Sequence, residues 1–308
     1  MQNILIIRGG ALGDFILTFP ALHALRKSFP DAHIELMASP SFLPLSRKYI
    51  DKGEGIDKNG IWNFFARNGE LPEDLKKYFR RFDLVILLRP DKEGAFRENL
   101  KIAGVKKNVY HNTASINNKH FSIQIIDSLL PLGVTDNEYI PEIDFTEEEI
   151  EFAEEFLTPL HPHFIKGGSN SCDVAAIHPG SGSEKKNWTA EGFAEAAKIL
   201  SERGFKVVLI SGPADKKTNE KFLNLLDFSP VIAENLPIMK LAAIIKRCSF
   251  YIGNDSGVTH LAALTGIKTI AIYSHTDPAV WHPIGKKVTV IKRDWLEDVG
   301  AKEVLAYL

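Results

Sequence analysis

Short runs of consecutive apolar residues alternate along the chain with stretches whose apolar positions recur every three to four residues. In the first half, Asn3–Arg8, His33–Met37, Asp83–Leu88 and Lys107–Tyr110 read as strands. Phe15–Ser28, Pro72–Arg80 and His120–Leu130 read as the helices between them. The second half repeats the scheme, with strands at Val174–His178, Lys206–Ser211, Phe250–Gly253, Thr269–Tyr273 and Val288–Ile291. Its helices are Ala190–Glu202, Lys216–Leu226, Ile238–Lys246 and Val258–Leu264. Strand–helix alternation predicts parallel sheets covered on both faces. Two such series predict an α/β protein of two doubly wound, Rossmann-like domains. Pro, Gly, Ser and Asn cluster in Thr158–Asp173, which sets the expected domains at 1–165 and 166–308. Just before that join, Thr146-Glu147-Glu148-Glu149 has the form of a capping box, followed by an apolar stripe of Ile150, Ala153, Phe156 and Leu157. Trp295–Leu308 also reads as a helix, one that the sequence allows to pack back on the first domain.

Composition narrows the classes. The 308 residues suffice for two domains, and 44% hydrophobic with 25% charged residues excludes disordered, collagen-like and disulfide-scaffold chains. Lys and Arg number 37 against 39 Asp and Glu, a net charge of -2, so no basic field calls for a nucleic-acid partner. Cys172 and Cys248 stand in no metal or redox spacing, which fits a reducing cytoplasm. The apolar run Ile4–Ile7 is too short for a signal peptide, and no run reaches the ~18 apolar residues of a membrane span. A cytoplasmic protein is expected. Charge is uneven, however. Residues 76–119 hold eleven Lys or Arg against four acids, and residues 127–155 hold eleven acids with no Lys or Arg. Both segments read as solvated helical faces. The basic one also suits an anionic acceptor, or peripheral contact with the inner face of the cytoplasmic membrane.

Candidate chemistry sits in loops after strands. The first strand runs into Gly9-Gly10-Ala11-Leu12-Gly13-Asp14. Glycines such as Gly10 and Gly13 let a backbone approach a ligand, but the spacing matches neither a dinucleotide fingerprint nor a Walker A loop. Asp14 is a preferred helix-start residue and, compatibly, a carboxylate placed to take a proton from an acceptor hydroxyl. In the second half, His178-Pro179-Gly180-Ser181-Gly182-Ser183-Glu184-Lys185-Lys186-Asn187-Trp188 combines glycines, hydroxyls and two lysines, a lining suited to a diphosphate. Ser211-Gly212-Pro213-Ala214-Asp215 is a weaker signal and reads equally as a plain turn. In Gly253-Asn254-Asp255-Ser256-Gly257-Val258-Thr259-His260 a buried strand ends and a helix begins at once. Its free N–H groups make an anion site, and His260 lies one turn on along the same face. His161-Pro162-His163 lacks partner ligands, so no metal site is expected, and Lys186 with the helix end supplies the positive charge.

Taken together, Arg8-x4-Gly13-Asp14-x5-Pro20-Ala21-Leu22, the 178–188 loop, and 253–263 followed by Tyr273 and Thr276-Asp277-Pro278 resemble the ADP-heptose:lipopolysaccharide heptosyltransferases of glycosyltransferase family nine. The resemblance runs in order through nearly the whole chain. It implies the GT-B fold, two Rossmann-like domains facing across a cleft. It also implies inverting, metal-independent transfer of heptose from ADP-heptose to inner-core sugars of lipopolysaccharide, with no cofactor. On it, Asp14 is the general base and Lys186 contacts the donor phosphates. Ser181 and Ser183 line the diphosphate, and Asp255, Ser256, Gly257 and His260 form the donor loop. Leu236 packs on the adenine and Asp215 lies near the ribose. Three features depart from the family pattern: the doubled lysine at Lys185, the bare Gly182, and Ser274-His275 ahead of Thr276. Transfer from another nucleotide sugar or to another glycan, nucleotide-sugar binding without transfer, and epimerisation are the alternative activities.

Overall fold

The computed structural model describes residues 2–57, 61–67, 70–111, 118–136, 139–160 and 173–308. Residues 161–172, which include most of the expected linker with His161, His163 and Cys172, lie outside the described residues. The chain divides into two compact units, Met1–Pro141 and Glu142–Leu308.

In the first unit, β1 (Asn3–Arg8), β2 (His33–Ala38), β3 (Lys52–Gly55), β4 (Leu84–Leu88) and β5 (Asn108–Tyr110) form a parallel sheet in the order β3-β2-β1-β4-β5. Ile4 to Ile7 and Leu84 to Leu88 are buried, as continuous apolar runs must be when helices cover both faces. The helices are α1 (Leu12–Ile16), α2 (Phe19–Ser28), α3 (Glu73–Arg80), α4 (Ala95–Ile102) and α5 (Phe121–Leu129). The single helix expected over Phe15–Ser28 is thus two. Pro20, at the second position of α2, has no N–H to offer the carbonyl of Ile16 and crowds it, so the chain breaks at Leu17 and Thr18.

The second unit opens with α6 (Glu147–Leu157), whose capping box is formed. Thr146 Oγ1 accepts from the Glu149 N–H at 3.3 Å, and Glu149 Oε2 accepts from the Thr146 N–H at 2.8 Å. There follow β6 (Val174–His178), α7 (Ala190–Glu202), β7 (Lys206–Ser211), α8 (Lys216–Asn224), β8 (Val231–Glu234) and α9 (Ile238–Arg247). The unit continues through β9 (Phe250–Asn254), α10 (Gly257–Thr265), β10 (Lys268–Tyr273), α11 (Pro278–Trp281), β11 (Val288–Lys292) and α12 (Ala301–Leu305). Its six parallel strands run β11-β10-β9-β6-β7-β8, the 3-2-1-4-5-6 order of a Rossmann sheet read from the other edge.

The units divide between 141 and 142, ahead of the 165/166 join read from the sequence. The reason is that α6 packs on α9: buried Glu154 pairs with Arg247, and Lys240 Nζ sits 4.4 Å over the Phe152 ring. The C-terminal segment, expected as one helix over Trp295–Leu308, forms a short 3-10 turn at Leu296–Asp298 followed by α12, which packs on α7. Leu296, Val299, Ala301, Val304 and Leu305 join Trp188 and Phe193 in the core of the second unit.

Candidate active site

Strand order reverses between β6 and β9 in the second sheet and between β1 and β4 in the first. Ligands of open parallel sheets bind beyond the strand ends at such points. At the second, one fully buried amide holds two loops together. Asn254, the last residue of β9, donates from Nδ2 to the Pro179 carbonyl at 2.7 Å and accepts from the Trp188 N–H at 2.8 Å. The loop after β6 is therefore clipped at both ends. Its Lys186 places Nζ 2.7 Å from Asp255 Oδ2, which also accepts from Thr276 Oγ1 at 2.5 Å. Ser181 Oγ donates to the Ser183 carbonyl at 2.8 Å, and Gly182 faces open space. Ser256, next after Lys186's partner Asp255, caps α10 by accepting from the Thr259 N–H, and the preceding N–H groups of that helix have no partner within it.

Beneath this loop pair, His178 Nε2 lies 2.9 Å from Asp215 Oδ2, which also accepts from the Gly212 N–H at 2.7 Å. Burial alone would raise the Asp215 carboxyl. The hydrogen bond and charge of His178, with the Gly212 N–H, outweigh burial and hold it below the usual carboxylate range. Gly180 is the residue that lets the carboxylate in, because a Cβ there would stand 1.9 Å from Asp215 Oδ1. On its other side, His178 Nδ1 faces Ser256 Oγ at 3.4 Å. Burial, together with Asp255, pushes the Tyr273 phenol above its ordinary range.

In the first unit, the buried Arg8 guanidinium donates to the Leu88 carbonyl at 2.8 Å and to the Asp14 carbonyl at 2.9 Å, joining the ends of β1 and β4. Burial lowers its pKa to about 10, against the pull of Asp14, whose Oδ1 is 3.7 Å from Nη2. Asp14 Oδ2 accepts from the Ala11 N–H at 3.2 Å, and the side chain remains 34% exposed. Gly10 has φ +108°, a left-handed conformation that favours glycine, and a Cβ there would lie 2.8 Å from Asp14 Oδ2. Arg8, Gly10, Asp14, Trp62 and Arg89 line a cavity of about 390 Å³. The Arg89 Cζ sits over Phe65, 3.9 Å from the ring centroid. Among the described residues, no three His, Cys, Asp or Glu side chains group as metal ligands, and no helix is long and apolar enough to cross a membrane.

Residues 122–302, more than half of the chain, match the family model described as glycosyltransferase family 9 (heptosyltransferase). The chain belongs to glycosyltransferase family 9. Over 88% of its length it is 25% identical to lipopolysaccharide heptosyltransferase 3 of Escherichia coli K12, covering 82% of that protein. The crystal structure of a family 9 glycosyltransferase from Veillonella parvula superposes with a TM-score of 0.83 at 23% identity, over 99% of this chain and 96% of that one. The E. coli ADP-heptose lipopolysaccharide heptosyltransferase II structure gives 0.77 at 18% identity, over 100% and 97% of the two chains. These likenesses carry the fold, GT-B with two Rossmann-like domains.

In this family 9 glycosyltransferase, Ser181, Gly182, Ser183, Lys186, Asp255, Ser256 and Gly257 gather at the second reversal point. His260 is buried one turn into α10. Leu236 is half-buried in the turn after β8, where Asn235 at φ +50° is tied by its N–H to the Ser211 carbonyl at 2.9 Å. Asp215 is buried, with its carboxylate committed to His178 and Gly212. Asp14, Gly10 and Gly13 belong to the first unit, with Asp14 and Gly10 on its cavity. The sequence reading assigned no site role to Asn254, His178, Arg8, Arg89 or Thr276. Each matters through a partner far away in the chain. A polar residue ending an otherwise apolar strand, as Arg8, His178 and Asn254 do, was the available signal.

Proposed function

We propose that this glycosyltransferase moves heptose from ADP-heptose to a hydroxyl group of a lipopolysaccharide core sugar, inverting the anomeric centre without a metal. The observation that carries the reading is the clipped pair of loops at the second reversal point, where a lysine, serine hydroxyls and a capped helix N-terminus converge as an anion seat. The names of the E. coli relatives supply the sugar, the nucleotide and the acceptor class. Asp14 removes the proton from the acceptor hydroxyl. The freed oxygen attacks the anomeric carbon as its bond to the diphosphate breaks, and Lys186 and the N–H groups of α10 take up the charge that develops on ADP. Ser181 and Ser183 flank the diphosphate, Leu236 meets the adenine, and Asp255 and His260 complete the donor loop. Such positive groups do the electrostatic work of a cation, which supports metal independence. The basic segment 76–119 meets the acceptor or the anionic membrane that carries it, at the cytoplasmic face.

The test is incubation with ADP-heptose and truncated core oligosaccharides, with mass analysis of the product. Wild type adds one heptose, chelator leaves the rate unchanged, and Asp14→Asn lowers turnover at least a hundredfold while binding ADP normally. Tighter binding of UDP or GDP than of ADP, or unchanged turnover of Asp14→Asn, overturns the assignment.

A further inference from the structure

Arg89 follows directly on β4, and its charge is met by no side chain around it. Phe65 holds the group at Cζ, and Gly9 packs against it, since a Cβ there would stand 3.8 Å from Nη1. The side chain is half-buried, and Nε is closed off from solvent with no hydrogen-bond partner among the described residues. The edge formed by Nη1 and Nη2 is what remains to meet a ligand. Among the described residues, Arg89 forms no ion pair. Asp91, whose field reaches it, is committed to Arg97 Nε at 3.0 Å and to the Phe96 N–H at 3.1 Å. Elsewhere in the basic segment, Lys76 pairs with Glu73, Arg81 with Glu35 and Lys119 with Asp127. Arg8, on the same cavity as Arg89, is engaged by the Leu88 and Asp14 carbonyls.

We propose that Arg89 holds an anionic group of the acceptor, a carboxylate or a phosphate, and so sets the accepting hydroxyl against Asp14. Both side chains line the cavity of about 390 Å³, a volume within the usual range of small-molecule sites. The planar fork of a guanidinium matches two oxygens of either anion. Phe65 and Gly9 confine the group, so little freedom is lost when the anion arrives. Burial pulls the Arg89 pKa down, against the pull of Asp91, yet an arginine stays charged at neutral pH. An anion paired with this partly desolvated cation gains more than one paired with a lysine in open water. Trp62, 58% exposed on the same cavity, adds an apolar surface for the sugar ring. Acceptor choice then lies with the first unit: a sugar that offers the hydroxyl without a neighbouring anion is a poor acceptor.

The inference rests on the acceptor class proposed above, and calorimetry of acceptor binding with ADP present separates the two. The probes are a truncated core oligosaccharide, its dephosphorylated form and its carboxyl-reduced form. Wild type should bind the intact oligosaccharide about 10–100-fold more tightly than one of the neutralised forms. Which form loses affinity tells phosphate from carboxylate. Arg89→Gln should lose that same factor on the intact oligosaccharide and nothing further on the neutralised form, and should bind ADP as wild type does. Arg89→Lys keeps the charge without the fork and should recover only part of the loss. Wild-type affinity that neither treatment changes, or an Arg89→Gln protein that still prefers the intact form by the wild-type factor, overturns the role of Arg89 and leaves the acceptor class standing. Failure of wild type to bind any of the three overturns the acceptor class and this inference with it.

Discussion

Asn254→Ala isolates the clip that joins the loops after β6 and β9. The substitution removes the bonds at 2.7 Å to the Pro179 carbonyl and 2.8 Å from the Trp188 N–H, and a weaker one at 3.4 Å to Asn187 Oδ1. Asn254 is 0% exposed, so the two backbone groups lose their partner inside the protein. Leaving a buried polar group unsatisfied costs about 1–3 kcal/mol, so the pair sets an expected loss of about 3 kcal/mol. For a unit of this size that lowers its Tm by about 6–12 °C. The loop bearing Ser181, Ser183 and Lys186 also loses its anchor, and ADP affinity should fall at least tenfold. Thermal unfolding followed by circular dichroism, with and without ADP, reads both effects. Asn254→Asp should do no better, because it keeps an acceptor for Trp188 but sets a carboxylate against the Pro179 carbonyl. A Tm within 2 °C of wild type, with ADP affinity unchanged, would refute the clip.

Two further outcomes follow from the first unit. Gly10→Ala forces a side chain into a left-handed backbone, about 1–3 kcal/mol of strain, and sets its Cβ against the Asp14 carboxylate. Turnover should fall with ADP binding unchanged; equal activity would mean that Asp14 needs no fixed seat. Buried His111, whose pKa burial and then Arg8 lower to about 4, binds its proton in the unfolded chain first. Its contribution to stability is therefore complete above about pH 6.5 and lost as the pH falls toward 4, about 3 kcal/mol in all. Urea unfolding between pH 7 and 4.5 should show a shallower pH slope for His111→Phe than for wild type, and identical slopes would contradict this.

The sheet-forming runs were legible because strands covered on both faces are apolar throughout, as in Ile4–Ile7 and Leu84–Leu88. β3 (KGEG) and β8 (VIAE) escaped notice, since β3 carries no apolar run and β8 only three apolar residues before Glu234. α4 was hidden by its polar buried residue: Asn99 is inside because its amide donates to the carbonyls of Phe64 and Ala66. The α6 stripe holds, with Ala153 and Leu157 buried, but buried Glu154 beside them gave no local sign, its charge being met by Arg247, 93 residues on. The loops after β6 and β9 announced themselves through glycines and hydroxyls. Their supports did not, since Asn254 reaches Pro179 across 75 positions and Arg8 reaches Leu88 across 80. Local pattern carries backbone shape, whereas partnership inside the protein depends on topology.

Trp188 closes the loop that carries Lys186, and its indole N–H is bonded at 3.0 Å to the carbonyl of Val299, 111 residues later. During synthesis the strands of this domain emerge in succession, yet the indole has no partner until Val299 has left the ribosome. Assembly of the loop that carries Lys186 is therefore a late event in the life of the nascent chain. Substitutions around Val299 should reach the loop of Lys186 through that bond and the core the two residues share.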